Sequence, residues 1–117
     1  MKAIEIISIP VTNQERSKEF YQKLGFVLLA EAPFGSDQKW IQLGFPGQDA
    51  SITLVTWFPK MPAGSVQGFV IKTDDINKEI KELTAKGIEV GKVDQMPWGK
   101  FVSVKDPDGN ALSLHQS

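Results

Sequence analysis

Apolar and polar residues alternate from Ile4 to Val11, take up helical spacing as far as Leu24, and return to alternation up to Trp57; the same succession begins again at Phe69. In the first strand Ile7, Ile9 and Val11 share one face and Ile6 and Ser8 the other, and the first set is expected to meet a helix. Thr12 with Glu15 has the form of a capping box, which predicts a helix from about Asn13 to Leu24 burying Phe20, Tyr21 and Leu24. Gly25 supplies the left-handed residue that closes it, and Phe26 is expected to fold back over the last turn. Strands follow at 26–31, 39–44 and 51–57, the last two joined across Pro46-Gly47.

The second succession reads Phe69 to Thr73 as a strand, then Asp74 or Asp75 as helix cap, with Ile76, Ile80 and Leu83 forming a buried stripe. Lys86-Gly87-Ile88 repeats the exit made by Leu24-Gly25-Phe26. Strands are predicted near 88–92, 100–105 and 111–115, with Asp106-Pro107-Asp108-Gly109-Asn110 as a tight hairpin turn. The chain therefore describes one βαβββ unit twice: module one over 4–57, a Pro- and Gly-containing linker over 58–66, and module two over 67–115. A chain of 117 residues makes a single domain of the two, in the α+β class.

Charge removes several classes of partner. Thirteen Lys+Arg against fourteen Asp+Glu leave a net charge of −1, and neither sign gathers into a run that would hold nucleic acid or an anionic membrane. No apolar stretch approaches a membrane span, and Met1-Lys2 leads straight into a strand, so a soluble cytoplasmic protein is expected. With no cysteine, disulfides, thiolate nucleophiles and thiolate metal sites are all excluded. Gly44-Phe45-Pro46-Gly47 and Asp108-Gly109 open no helix, so no phosphate-cradling loop is supported.

The run from Val11 to Phe26, together with Thr73-Asp74-Asp75-Ile76, Lys86-Gly87-Ile88 and Asp106-Pro107-Asp108-Gly109-Asn110, resembles the vicinal oxygen chelate superfamily, which groups glyoxalase I, bleomycin-resistance proteins and extradiol dioxygenases. The resemblance covers nearly the whole chain. It implies two modules whose sheets curl into a cup with the helices outside, often completed or swapped in a homodimer. In the enzymes of the family, a divalent metal sits in the cup, held by His, Gln or Glu on the first and last strands of each module. Carried across, those positions fall on Ile6, Thr53, Gly68 and Ser113. None is a usable ligand, because a divalent ion needs several carboxylate or imidazole donors converging on one point. No metal and no other cofactor is therefore expected.

The remaining donors are few. Glu5 adjoins the first ligand position, and only a one-residue register slip would turn it into the cup. His115, the sole histidine, shares the face of Ser113 if the last strand runs that far; otherwise it is an exposed imidazole near a frayed end, the reading given more weight. Nothing marks a carboxylate that would orient it beside Ser113 for nucleophilic catalysis. What replaces the metal is aromatic and neutral-polar surface. Trp40, Gln42 and Trp57 have the parity to face the hollow, and Trp98 sits on a loop just before Phe101 and Ser103, so three tryptophans are expected to edge the cup. Indole faces suit stacking and their N–H groups suit orientation, although each tryptophan would serve a core or a dimer interface equally well. Lys72 also lies on the cup strand, where it can pair with an anionic ligand group or extend into water; Lys105 carries the same pair of readings.

The expectation is a metal-free member of that fold binding a small planar or amphipathic organic molecule as a homodimer. Trp40, Gln42, Trp57, Trp98, Phe101, Ser103 and His115 are the contact residues, and no catalytic residue is assigned. The rival is a divalent-metal lyase, isomerase or dioxygenase similar to glyoxalase I. A third reading gives the tryptophans to an interface alone.

Overall fold

A computed structural model describes residues 1–117. Each module is a four-stranded mixed sheet with one helix, as the repeated pattern predicts. Module one runs β1 (Ile6–Pro10), α1 (Gln14–Lys23), β2 (Val27–Phe34), β3 (Gln38–Gly44) and β4 (Ser51–Val55). Module two runs β5 (Phe69–Lys72), α2 (Ile76–Ala85), β6 (Asp94–Met96), β7 (Gly99–Lys105) and β8 (Ala111–Gln116). The strand orders are β1-β4-β3-β2 and β5-β8-β7-β6, with β1–β4 and β5–β8 parallel and the other pairs antiparallel. No helix is long and apolar enough to cross a membrane.

Both helices end as their sequences dictate. Phe26 N–H donates to the Tyr21 carbonyl and Gly25 N–H to that of Gln22, while Ile88 and Gly87 repeat the pattern on Leu83 and Thr84. Gly25 has φ +110°, a conformation that costs a residue bearing a Cβ. At the start of α1 the cap is Asn13, whose side chain accepts from Arg16 N–H, rather than Thr12. The reason lies in the other module: the Thr12 N–H and hydroxyl both donate to Asp108, so the expected Thr12–Glu15 box does not form. In α2, Asp75 is the cap.

Two strand predictions shift. The strand expected near 88–92 is reduced to one bridge between Val90 and Val104, because Ile88 is engaged in closing α2; the pairing strand is β6 instead. β2 extends to Phe34 through Pro33, which an edge strand tolerates because no ladder bond is asked of its missing N–H. A register shift between Leu28 and Ala30 marks a bulge in β2.

The helix-side faces of both sheets form the core. Ile9, Val11, Tyr21, Phe26, Ile41, Leu43, Ile52, Leu54 and Leu112 make one buried cluster, and Ile76, Leu83, Ile88, Val102, Val104 and Leu114 the other. Phe20, Leu24 and Ile71 pack against both, so α1 is shared between modules. Ile7 departs from the expected set: it is half exposed, at the seam where module one meets β5.

The turn between β7 and β8 locks this arrangement. It is not a tight Asp-Gly hairpin; the buried Asp106 carboxylate organises it, accepting from the N–H groups of Asp108 and Asn110 and from the Asn110 amide. The same carboxylate accepts the Tyr21 hydroxyl at 2.8 Å, and Asn110 donates to the Pro10 carbonyl at 2.9 Å. Asn110 also accepts Val66 N–H, tying in the linker. Burial, and after it the Asp106 charge, pushes the Tyr21 phenol far above its ordinary pKa, which keeps it a donor. Tyr21→Phe is expected to cost about 1–3 kcal/mol, since a buried acceptor loses a donor that water cannot replace. In a denaturation cycle with Asp106→Ala the two changes should couple by about 0.5–3 kcal/mol, and simple additivity would deny the bond its role.

Candidate functional site

Side chains that point away from the helices lie on two open faces, one per sheet. On the first, β-ladder register places Ser8 beside Thr53, Thr53 beside Gln42, Gln42 beside Ala30, and Trp40 beside Ala32. These residues are wired together. The Trp40 indole N–H donates to Gln42 Oε1 at 3.2 Å, Gln42 Nε2 donates to Ser51 Oγ at 2.8 Å, and Ser51 Oγ donates to the Glu5 carbonyl at 2.9 Å. Ser8 and Thr53 share a hydroxyl contact at 3.4 Å. The ladder leaves the second N–H of the Gln42 amide and its second oxygen lone pair free, a donor and an acceptor held in fixed orientation.

Aromatic rings edge this polar strip. Phe34 lies 4.6 Å from Trp57 and 6.2 Å from Trp40 between ring centroids, and Phe58 lies 6.2 Å from Trp57. Phe34 and Phe58 are absent from the sequence-derived set. Phe34 stands beyond the predicted strand end and behind Pro33, and only the alternation Ala30, Ala32, Phe34 carried past that proline would have found it.

The second open face carries Val70 and Lys72 of β5, Ser113 and His115 of β8, Phe101, Ser103 and Lys105 of β7, and Asp94 of β6, by register. The Phe101 and His115 rings stack at 4.4 Å with 14° between planes, and the His115 Nε2 lies 3.1 Å from the Trp98 carbonyl. His115 is thus within β8 and anchored at two points; the frayed-end reading is corrected, because strand pairing continues to Gln116 opposite Lys100. Trp98 itself is exposed on the turn between β6 and β7.

The three tryptophans do not edge one surface of a single chain. Trp40 and Trp57 belong to the first face and Trp98 to the second, and no hydrogen bond or ring contact joins the two groups. The two sheets are separate, with β1 and β5 each an edge strand. Several apolar residues near or on these faces stand open, among them Ile6, Leu29, Phe34, Val70, Met96 and Trp98.

The expected metal positions do not fit a metal. Thr53 is buried against Ser8, Ile6 pairs with Ser51, Gly68 has no side chain, and Ser113 lies between Val70 and Ser103. No three His, Asp or Glu side chains converge anywhere in the chain. Glu5 precedes β1, and Glu31, on the helix side of β2, pairs with Lys18 at 3.0 Å and Lys39 at 3.5 Å.

Two hollows lie off these faces. One of about 520 Å3 is charged, lined by Arg16, Glu19, Lys23, Lys86 and Lys105 among others, and lies between α1 and the segment that follows α2. The other, about 450 Å3, is largely apolar and lies at the module seam between Ile7, Phe26, Phe45, Ile52, Phe69 and Ile71. The first meets the open faces at Ser103 and Lys105, and the second at Ser51, Val70 and Lys72.

Gly99 closes the Trp98 turn onto β8. It has φ +139°, and a Cβ there would strike the Gln116 carbonyl and come within 2.7 Å of His115 Nε2. Gly99→Ala is therefore expected to cost about 1–3 kcal/mol and to separate the His115 ring from Phe101. The loss of the ring-current shift of the His115 protons by NMR checks this; an unchanged shift would refute the anchoring.

Comparison with known proteins follows this geometry. The family model described as the Glyoxalase/Bleomycin resistance protein/Dioxygenase superfamily matches residues 3–114. TnmS3, an antibiotic-binding protein from Streptomyces sp. CB03234, superposes with a TM-score of 0.93 at 39% identity, covering 99% of this chain and 96% of its own. A glyoxalase/bleomycin resistance protein from the same organism superposes at 0.85 with 40% identity, covering 97% and 100%. YetH of Bacillus subtilis is 31% identical over 99% of each chain. The paired βαβββ modules, the repeated helix exits and these matches make the chain a member of the glyoxalase/bleomycin resistance protein/dioxygenase superfamily.

Proposed function

We propose that this protein captures a small planar or amphipathic organic molecule without a metal, as a cytoplasmic homodimer whose two modules form one ligand-binding domain. The observation that carries the reading is the neutral ladder Trp40–Gln42–Ser51, set among aromatic rings where the family's enzymes would need ionic donors. Resemblance to TnmS3 adds to it, since that protein binds an antibiotic.

In this reading the first open face of one protomer closes over the second open face of its partner. Both faces are apolar enough to gain from being covered, and neither is covered within one chain. A ligand between them would bury its ring surface against Phe34, Trp40 and Trp57 on one side and Trp98 and Phe101 on the other. Gln42 and Ser103 would choose its orientation. His115 would serve as the rigid wall beside Phe101.

A fluorescence titration of the three tryptophans against a panel of planar compounds tests the reading. Saturable quenching at one ligand per site is expected, with Trp40→Ala weakening the responding compound by about tenfold or more, the order expected for a central aromatic contact. Light scattering should give twice the chain mass. Unresponsive tryptophans would leave only an interface role. Stoichiometric Zn, Ni, Mn or Fe in protein purified without chelator would favour the metal-dependent enzyme.

A further inference from the structure

One row of the second open face carries charge where the first carries none. Register aligns Lys72 of β5 with His115 of β8, His115 with Phe101 of β7, and Phe101 with Asp94 of β6. Adjacent strands stand about 4.8 Å apart, so register puts Lys72 on the opposite side of His115 from Phe101, at the edge of the apolar hollow of the module seam. The Lys72 ammonium forms no ion pair, all such pairs in the chain being made by Arg16, Lys18 and Lys39. The charged or titratable side chains of this face are Lys72, His115, Lys105 and Asp94, one from each strand, with Asp94 at the far end of the row from Lys72. On the first face, the strand positions Ile6, Ser8, Ala30, Ala32, Phe34, Trp40, Gln42, Ser51 and Thr53 include no charge at all.

The imidazole is held as part of a wall. A carbonyl oxygen only accepts, so the 3.1 Å contact with Trp98 requires the proton on His115 Nε2, and that bond together with the Phe101 stack fixes the plane of the ring. A flat ligand can therefore lie against an aromatic row with an unpaired ammonium at one end.

Resting on the capture of a planar molecule proposed above, we propose that Lys72 sets the ligand class: the face selects a planar ring bearing an acidic hydroxyl, a phenol or enol, and holds it as the oxyanion against the Lys72 ammonium. The proton of the hydroxyl passes to solvent, and no covalent bond forms. Lys72 is then a specificity residue, and the cation gains strength because covering the face removes competing water.

The probe is 4-nitro-1-naphthol, whose ionised form absorbs at longer wavelength, set against its methyl ether. Wild-type protein should bind the naphtholate about tenfold more tightly than the ether and lower the apparent pKa of the bound naphthol by about one unit, the same free energy read two ways. Lys72→Met should abolish both differences while leaving ether binding and tryptophan quenching unchanged, and Lys72→Arg should retain them. Equal binding of naphtholate and ether by the wild type, or naphtholate binding by Lys72→Met as tight as wild type, overturns this inference alone. Quenching by neither probe, nor by any other planar compound, overturns it together with the capture reading.

Discussion

Asp106 accepts four hydrogen bonds through one buried carboxylate, and those bonds reach a helix of the other module as well as its own turn. A buried charge is tolerable only when its lone pairs are met, so the turn, Tyr21 and Asn110 are constrained together or not at all. Asn110 carries the constraint on to Pro10 and Val66, the end of β1 and the linker. At the rim, Asp108 holds Thr12 and Arg16. The helix sides of the two sheets are thereby kept against a shared α1. Their opposite faces are left free.

That division settles what the acidic turn means. Asp106 and Asp108 lie close together, yet their oxygens are consumed by backbone amides, a phenol, a hydroxyl and a guanidinium. They are parts of a joint. The surfaces left open carry uncharged amides and hydroxyls on one side and a lysine in register with a stacked imidazole on the other.

Local chemistry was the legible part of the sequence. Gly25-Phe26 and Gly87-Ile88 announce their helix exits because the bonds that close them span only a few residues. Ile9 and Val11, or Ile41 and Leu43, reveal their faces by alternation alone. What could not be read depends on partners far along the chain. Thr12 looks like a cap until Asp108 claims it, and Asp106 looks like hairpin punctuation until Tyr21 is brought beside it. Phe34 was hidden by Pro33, whose tolerance follows from β2 lying at a sheet edge, a fact of topology. The aromatic and polar candidates were found as residue types, but their division between two separate faces follows from how the modules pack.

The Asp106–Tyr21–Asn110 joint and the aromatic strips share no residue. Substitutions of the exposed rings on the strips therefore leave the seam and its buried charge untouched. Such a scaffold keeps what it presents apart from what holds it up: the two walls can be repainted while the beam between them stays in place.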